Sequence, residues 1–130
     1  MGIKYLWDTN TAIYYLQKLF PPAAEVFIDA ILQQFQPAIS VITEMELLCW
    51  KTAAENDIVV LHGFTSDALV FELEQIIKLK TIELRRAHTI KLPDAIIAAT
   101  ALVYDLTLLT RNEKDFRHIP NLQLLNPWNV

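Results

Sequence analysis

Residues 91–116 read KLPDAIIAATALVYDLTLLTRNEKDF and combine the most strongly apolar elements of the chain with acidic residues. Asp94 stands at the start of an apolar run, residues 95–104, that is long enough for a buried helix. Thr107–Leu109 then has the composition of a short buried strand, and polar residues follow it. An acid in the first turn of a buried helix, followed by such a strand, is typical of the edge where an α/β protein builds a site.

The rest of the chain alternates between strand and helix patterns in the same way. Strands are predicted at residues 3–7, 37–42, 58–61 and 122–125, in addition to Thr107–Leu109. Helices are predicted at residues 12–16 and 23–35, from residue 43 to residue 50, and from an N-cap at Ser66 to Leu84. This alternation predicts a three-layer α/β/α sandwich with a central, mostly parallel sheet of four to five strands.

Length and composition predict one domain over residues 1–130. The chain is 53% hydrophobic, but charges interrupt each apolar run before the roughly 18 residues that a membrane span needs. The first residues do not resemble a secretory signal, so a cytoplasmic protein is expected. Cys49 is the single cysteine, which excludes a disulfide or a cysteine metal site within one chain, and we expect it in the core.

The charges are unevenly distributed along the chain. The net charge of −4 argues against a protein that coats nucleic acid nonspecifically. Residues 1–77 hold ten acids and three bases, whereas residues 78–117 hold eight bases and five acids. Two interpretations are open: a basic surface near Asp94 that holds phosphates, or ordinary solvated helix faces.

Four acids are predicted to meet at one edge of the sheet. Asp8, Glu46 and Asp115 lie at or after the ends of strands, and Asp94 begins the helix beside them. Parallel strands end at the same edge, where four carboxylates would repel one another unless a cation lay between them. Carboxylate oxygens suit Mg²⁺ or Mn²⁺ better than zinc.

Each of these acids except Asp115 also has a local explanation. The local roles are an N-cap at Asp8, a capping box of Thr43 with Glu46, and a first-turn acid favoured by the helix dipole at Asp94. Thr110 and Glu113 match a second capping box. Helix capping does not explain why all four acids should fall at one edge.

Other catalytic arrangements have less support in the sequence. His62, His88 and His118 have no metal-ligand spacing, and two glycines cannot form a glycine-rich phosphate loop. Ser40 and Ser66 lack the context of a nucleophile elbow.

Three segments resemble the PIN domain, especially the VapC-type toxin ribonucleases of bacterial toxin–antitoxin pairs. They are YLWDTN at residues 5–10, ISVITEMELL at residues 39–48, and residues 91–116. The resemblance implies a Mg²⁺- or Mn²⁺-dependent endoribonuclease in which Asp8, Glu46 and Asp94 match the first three acids of the family. Glu46 fits the pattern better than Glu44. The fourth acid would occupy the position of Asn112 or of Asp115, with Asn112 as a neutral helper in the second case.

The same resemblance implies ligands and partners. The metal ion would be held by Asp8 and Asp94 with support from Glu46 and Asp115. RNA phosphates would bind bases near the site, and the candidates are Arg85, Arg86, Lys91 and Arg111. A small antitoxin would pack on an apolar groove along residues 23–35 and 43–50, with Phe27 and Trp50 as contacts, and the toxin would be a homodimer.

Two functions from other classes stay open at this point. One is a PIN-fold binding module without activity. The other is an aspartyl-phosphate phosphotransferase with Asp8 as its nucleophile, although the segment around Asp8 lacks the second acid that such enzymes use.

Overall fold

The fold is described by a computed structural model, in which residues 2–51 and 54–130 are placed. Five short strands alternate with seven α-helices, and a 3-10 turn at Pro127–Asn129 follows the last strand. The strands are β1 (Tyr5–Trp7), β2 (Ala38–Ser40), β3 (Leu69–Phe71), β4 (Thr107–Leu109) and β5 (Leu124–Leu125). The helices are α1 (Thr9–Leu16), α2 (Pro22–Gln34), α3 (Val41–Leu48), α4 (Glu55–Asp67), α5 (Gln75–Ala87), α6 (Leu92–Val103) and α7 (Glu113–Phe116).

All neighbouring strands of the sheet are parallel, in the order β3-β2-β1-β4-β5. The central strand β1 pairs with β4 so that Trp7 lies opposite Leu109. Asp8 and Thr110 therefore leave the sheet side by side, at the edge where parallel strands end. The predicted parallel sheet of four to five strands is confirmed.

The two faces of the sheet bury separate cores, because successive side chains of a strand point to opposite faces. Leu6, Ala38 and Leu108 pack with buried residues of α5 and α6. Trp7, Ile39 and Leu109 pack on the other face with buried residues of α1, α2, α3 and α4. These cores confirm the predicted three-layer sandwich.

The strand predicted at residues 58–61 is wrong, because this segment lies within helix α4. Leu61 and Phe64 are buried on one face of α4, and the Phe64 ring centroid lies 5.5 Å from that of Trp7. Packing of these two positions against the sheet outweighs the local β propensity of the valines and isoleucine.

The third strand instead comes later in the chain. β3 is formed by Leu69–Phe71, which pairs residue by residue with Ala38–Ser40. The prediction placed this segment inside a helix capped by Ser66, and that helix starts only at Gln75. Apolar residues at Leu69 and Val70 fit both patterns, so only the pairing partner decides between them.

Both predicted capping boxes are wrong. Ser40 caps α3, where its Oγ accepts a hydrogen bond from the Ile42 N–H at 3.1 Å, so Glu46 lies in the last turn of this helix. α7 begins at Glu113 after Asn112, so Thr110 is not its cap.

Cys49 is exposed at the C-terminal end of α3, which corrects the prediction of a core residue. Within residues 2–51 and 54–130, no helix has the length and apolar character needed to cross a membrane.

Candidate active site

Asp8 lies directly after the central strand and is buried, with 6% of its surface exposed. It caps α1, because its Oδ1 accepts a hydrogen bond from the Thr11 N–H at 2.8 Å. Burial raises the pKa of Asp8, hydrogen bonds from Thr110 and Thr11 oppose this effect, and the charge of Glu46 adds to it. The capping role predicted for Asp8 is thus present, but the Glu46 effect shows that a second carboxylate lies near.

Glu46 reaches the same region from α3. The Thr9 hydroxyl donates a hydrogen bond to Glu46 Oε1 at 2.6 Å, and the Thr9 Oγ1 lies 3.1 Å from the Thr43 Oγ1. Thr43 is fully buried, so this contact joins the first turn of α1 to α3. Thr9 thereby orients a glutamate that is otherwise exposed.

Asp94 lies in the first turn of α6, next to Pro93. The seven residues that follow it, Ala95 through Ala101, are all buried and fix the helix in the core. Burial raises the pKa of Asp94 most, the charges of Asp115, Asp8 and Glu46 raise it further, and Lys91 lowers it. The other three predicted acids therefore all lie within electrostatic reach of Asp94.

A cavity of about 130 Å³, which we call the acidic cavity, lies between these elements. Its lining residues are Asp8, Thr9, Asn10, Glu46, Asp94, Ile97, Asn112 and Phe116. Glu44 is not among them. Asn112 faces the acidic cavity together with three of the predicted acids, whereas Asp115 lines the neighbouring cavities.

A larger cavity of about 580 Å³, which we call the basic cavity, adjoins the acidic one and shares Asp94 with it. Its lining residues are Arg85, His88, Thr89, Ile90, Lys91, Asp94, Lys114, Asp115 and His118. Among the predicted phosphate ligands, Arg85 and Lys91 therefore lie next to the carboxylates. The bases that are concentrated in residues 78–117 thus contribute a positively charged surface next to Asp94.

The other two predicted phosphate ligands lie outside the basic cavity. Arg111 lines a third cavity of about 600 Å³ with Asn112 and Asp115, and its guanidinium carbon lies 5.3 Å from the centre of the Trp128 ring. Arg86 lies with Leu79 and Ile82 on the outer face of α5, away from the carboxylates.

Sequence reasoning missed two residues of the site, Thr9 and Thr110. Thr110 is buried, its side chain lowers the pKa of Asp8, and its Oγ1 accepts a hydrogen bond from the Asn112 N–H at 3.0 Å. The pattern that identifies it is its position directly after β4, which matches the position of Asp8 after β1. Sequence reasoning also overlooked Lys114, and it set aside His88 and His118.

The chemistry of the side chains suits a hard divalent cation. Oxygen atoms of three carboxylates, a threonine and two asparagines line the acidic cavity, and Mg²⁺ or Mn²⁺ prefers such oxygen donors. In the parts of the chain that the structure describes, no three acidic, histidine or cysteine side chains form a ready-made cluster of ligands. Mg²⁺ does not need one, because it commonly binds one or two carboxylates and keeps several waters.

Comparison with known proteins gives consistent matches. A family model described as the PIN domain matches residues 5–122. A curated protein, Ribonuclease VapC of Rickettsia bellii (strain RML369-C), is 51% identical over 37 residues, which span 28% of this chain and 28% of that protein.

Two solved structures match over nearly the full length. A toxin–antitoxin complex from Klebsiella pneumoniae is 32% identical, with a TM-score of 0.77 over 98% of this chain and 100% of the matched chain. VapBC2 from Rickettsia felis, bound to a DNA fragment from its promoter, is 27% identical, with a TM-score of 0.80 over 95% and 98% of the two chains.

Proposed function

This chain belongs to the PIN domain family, and we propose that it is a Mg²⁺- or Mn²⁺-dependent endoribonuclease, the VapC-type toxin of a toxin–antitoxin pair. One observation carries the proposal: Asp8, Glu46 and Asp94 come from three distant segments and line one small cavity. Burial raises the pKa of Asp94 most, and repulsion from the neighbouring acids raises it further, which is costly unless the charges serve to bind a cation. Its similarity to a ribonuclease and to toxin–antitoxin complexes supports the same reaction.

The side chains fit the metal ion that this reaction needs. Asp8 and Asp94 would hold it, with support from Glu46 and Asp115. When bound, a divalent ion neutralises charge on the phosphodiester and lowers the pKa of water, which gives a nucleophile for hydrolysis.

Neighbouring threonines prepare the carboxylates for this role. The hydrogen bonds from Thr11 and Thr110 favour the ionised form of Asp8, against the effect of its burial. Thr9 holds Glu46 by its Oε1, which leaves the other carboxylate oxygen to orient water or an ion. Such supporting contacts tune both the basicity and the direction of a ligand.

Basic residues offset the repulsion between the carboxylates and an RNA backbone. Lys91 already lowers the pKa of Asp94, so its ammonium group lies near enough to attract a phosphate to the site. Arg85 donates from its Nε to the Ile90 carbonyl oxygen at 3.1 Å, which fixes the guanidinium and leaves its terminal nitrogens for phosphate oxygens.

An antitoxin would cover an apolar surface on the opposite layer of helices. Exposed apolar side chains occur there on α2, α3 and α4, at Val26, Met45, Leu48, Ile58 and Val59. Phe27 and Trp50 are only partly exposed and pack against the core, so they would contribute less contact area than predicted. Helix-in-groove binding requires exposed apolar positions of this kind.

A homodimer would use a different face. The outer side of α5 exposes Ile76, Leu79 and Ile82, each more than half exposed, and this apolar row lies apart from the antitoxin surface. The protein would act in the cytoplasm, on RNA.

The deciding experiment compares RNA cleavage by the wild type and by Asp8→Asn with Mg²⁺ and with Mn²⁺. Asparagine keeps the cap of α1, so the fold should survive while cleavage is lost. Asp67→Asn is the matched control, because Asp67 is an exposed acid at the end of α4. Equal cleavage by the wild type and Asp8→Asn would refute the proposed site.

A further inference from the structure

Two histidines that are 30 residues apart in the sequence meet in the basic cavity. The ring centroids of His88 and His118 lie 5.2 Å apart, and the ring planes make an angle of 65°. His88 ends α5, where its backbone N–H donates to the Leu84 carbonyl oxygen, and His118 follows α7. Neither ring takes part in the proposed hydrolysis, although both line a cavity together with Asp94.

The basic cavity has the size and composition of a ligand site. Its volume of about 580 Å³ falls within the usual range for pockets that hold small molecules, roughly 300–1,000 Å³. Lys91, Lys114 and Arg85 supply positive charge, and the histidine rings with Ile90 supply flat and apolar surface. Charge and ring surface in one cavity match the two parts of a nucleotide, its phosphate and its base.

We propose that the basic cavity binds the nucleotide next to the cleaved phosphodiester bond, with its base against the His88–His118 pair. The inference rests on the proposed ribonuclease function. The phosphate of this nucleotide contacts Lys91, Lys114 and Arg85. Because Asp94 lines both cavities, a strand that crosses the acidic cavity continues directly into the basic one.

The charges favour the base rather than a second phosphate at the histidines. Asp94 and Asp115 also line this cavity and repel phosphate, so the backbone must follow the lysines and the arginine. An edge-to-face ring pair leaves ring surface open on its outer side, and His118 is exposed. Stacking of a base on a ring does not bring a phosphate group next to these carboxylates.

This geometry selects an unpaired nucleotide. A base in an A-form duplex is stacked and paired, whereas proteins recognise single-stranded RNA by stacking bases that point away from the backbone. The basic cavity is therefore expected to favour cleavage in loops or unpaired strands.

The test measures binding of short RNA chains to full-length protein that carries Asp8→Asn, so that Mg²⁺ is present without cleavage. The probes are an octamer of uridine, an octamer of adenosine, and an abasic octamer with the same sugar–phosphate backbone. His88→Ala and His118→Ala should each lower affinity for at least one base-containing octamer by roughly 5-fold or more, as loss of base stacking does. Neither should change affinity for the abasic octamer.

Two further substitutions separate a ring contact from a charge contact. His118→Phe should keep most of the affinity, and His118→Lys should not. The salt dependence of binding should stay the same in His118→Ala, since loss of a phosphate contact would reduce its slope by about one. His62→Ala is the matched control, because His62 is an exposed histidine on α4 and lies outside the cavity.

Two results would overturn the inference: unchanged octamer affinity in both alanine variants, or an equal loss for the abasic octamer with rescue by His118→Lys. Cleavage by the otherwise unaltered chain is measured in parallel. Absence of cleavage there refutes the ribonuclease function, whereas cleavage with unchanged binding in the histidine variants refutes only the base contact.

Discussion

Thr110 lowers the pKa of Asp8 from across the ends of the two central strands, because its hydroxyl favours the ionised carboxylate. The pairing of Trp7 with Leu109 sets this contact, because it places the next residue of each strand at the same level. The Thr110 Oγ1 also accepts the Asn112 N–H, so one hydroxyl links Asp8 to the loop that carries Asn112. This threonine is a positioning residue for the carboxylate, so we expect its substitution to weaken metal binding.

Thr110→Val should weaken the apparent affinity for Mg²⁺ in RNA cleavage by roughly 10- to 100-fold, the usual effect of losing a contact behind a metal ligand. Valine keeps the shape but removes the donor that favours ionised Asp8. Thr110→Ser should restore most of the affinity. Thr107→Val is the control. Thr107 begins the strand that Thr110 follows, and its hydroxyl contacts Gln123 and not Asp8. An unchanged Mg²⁺ titration in Thr110→Val would exclude the positioning role.

Glu46→Gln should lower the cleavage rate strongly, whereas Glu44→Gln should leave it unchanged. The two glutamates are one helical half-turn apart on α3, and only Glu46 lines the acidic cavity and contacts Thr9. Initial rates at saturating Mg²⁺ measure the difference. A larger loss in Glu44→Gln would show that Glu44, and not Glu46, is the second acid of the site.

Asp94→Asn should change how stability depends on pH in the presence of a chelator. The pKa of Asp94 is raised in the folded chain, so the carboxyl group favours folding while it is protonated. That contribution is lost as the pH rises above about 4, the value for unfolded chains, and through the folded pKa. Asparagine does not titrate, so the variant should gain stability relative to the wild type as the pH rises from about 4 through the folded pKa of Asp94.

Urea unfolding midpoints at several pH values measure this gain. The wild type and Asp8→Asn offer a second comparison, since burial also raises the pKa of Asp8. Parallel curves for the wild type and both variants would show that folding does not raise the pKa of either acid.

Mg²⁺ should raise the unfolding temperature of the wild type. A ligand that binds only the folded state stabilises it by about 1.4 kcal/mol at ten times its Kd, which corresponds to several degrees for a chain of this size. Asp94→Asn should lose the shift, and Asp67→Asn should keep it. A shift of the same size in Asp94→Asn would locate the ion elsewhere.

Val26→Asp should prevent binding of a co-expressed antitoxin without changing the oligomeric state of the free toxin. Val26 has 70% of its surface exposed on α2, so a charge there disturbs a partner but not the core. Leu79→Asp on α5 should have the opposite effect and give a monomer that still binds. Copurification and light scattering measure the two properties, and loss of both in either variant would place them on one surface.

The sequence was sufficient to predict the elements whose local pattern agrees with their packing. Residues 91–116 form the predicted buried helix and strand, and Asp94 lies in the first turn of that helix. The order of the strands places Asp8 and Asp94 at one edge, as expected from parallel pairing. Glu46 also lies at this edge as predicted, but it reaches the edge from the last turn of a helix and not from the end of a strand.

The sequence was insufficient where tertiary contacts decide between equal local patterns. Ile58, Val59 and Val60 favour a strand, but burial of Leu61 and Phe64 against Trp7 makes the segment helical. The histidine pair also depends on packing, because the ends of α5 and α7 bring two residues together that no spacing relates. Likewise, the roles of Thr9 and Thr110 depend on side chains across the site rather than on neighbours in sequence.

The seven buried residues that follow Asp94 have a consequence for regulation. Movement of the Asp94 backbone away from the other acids would draw α6 out of the core and expose those residues to water, so we expect such movement to be coupled to unfolding. We therefore expect the activity to be controlled from outside the site, by what covers the cavity and by how long the folded chain survives.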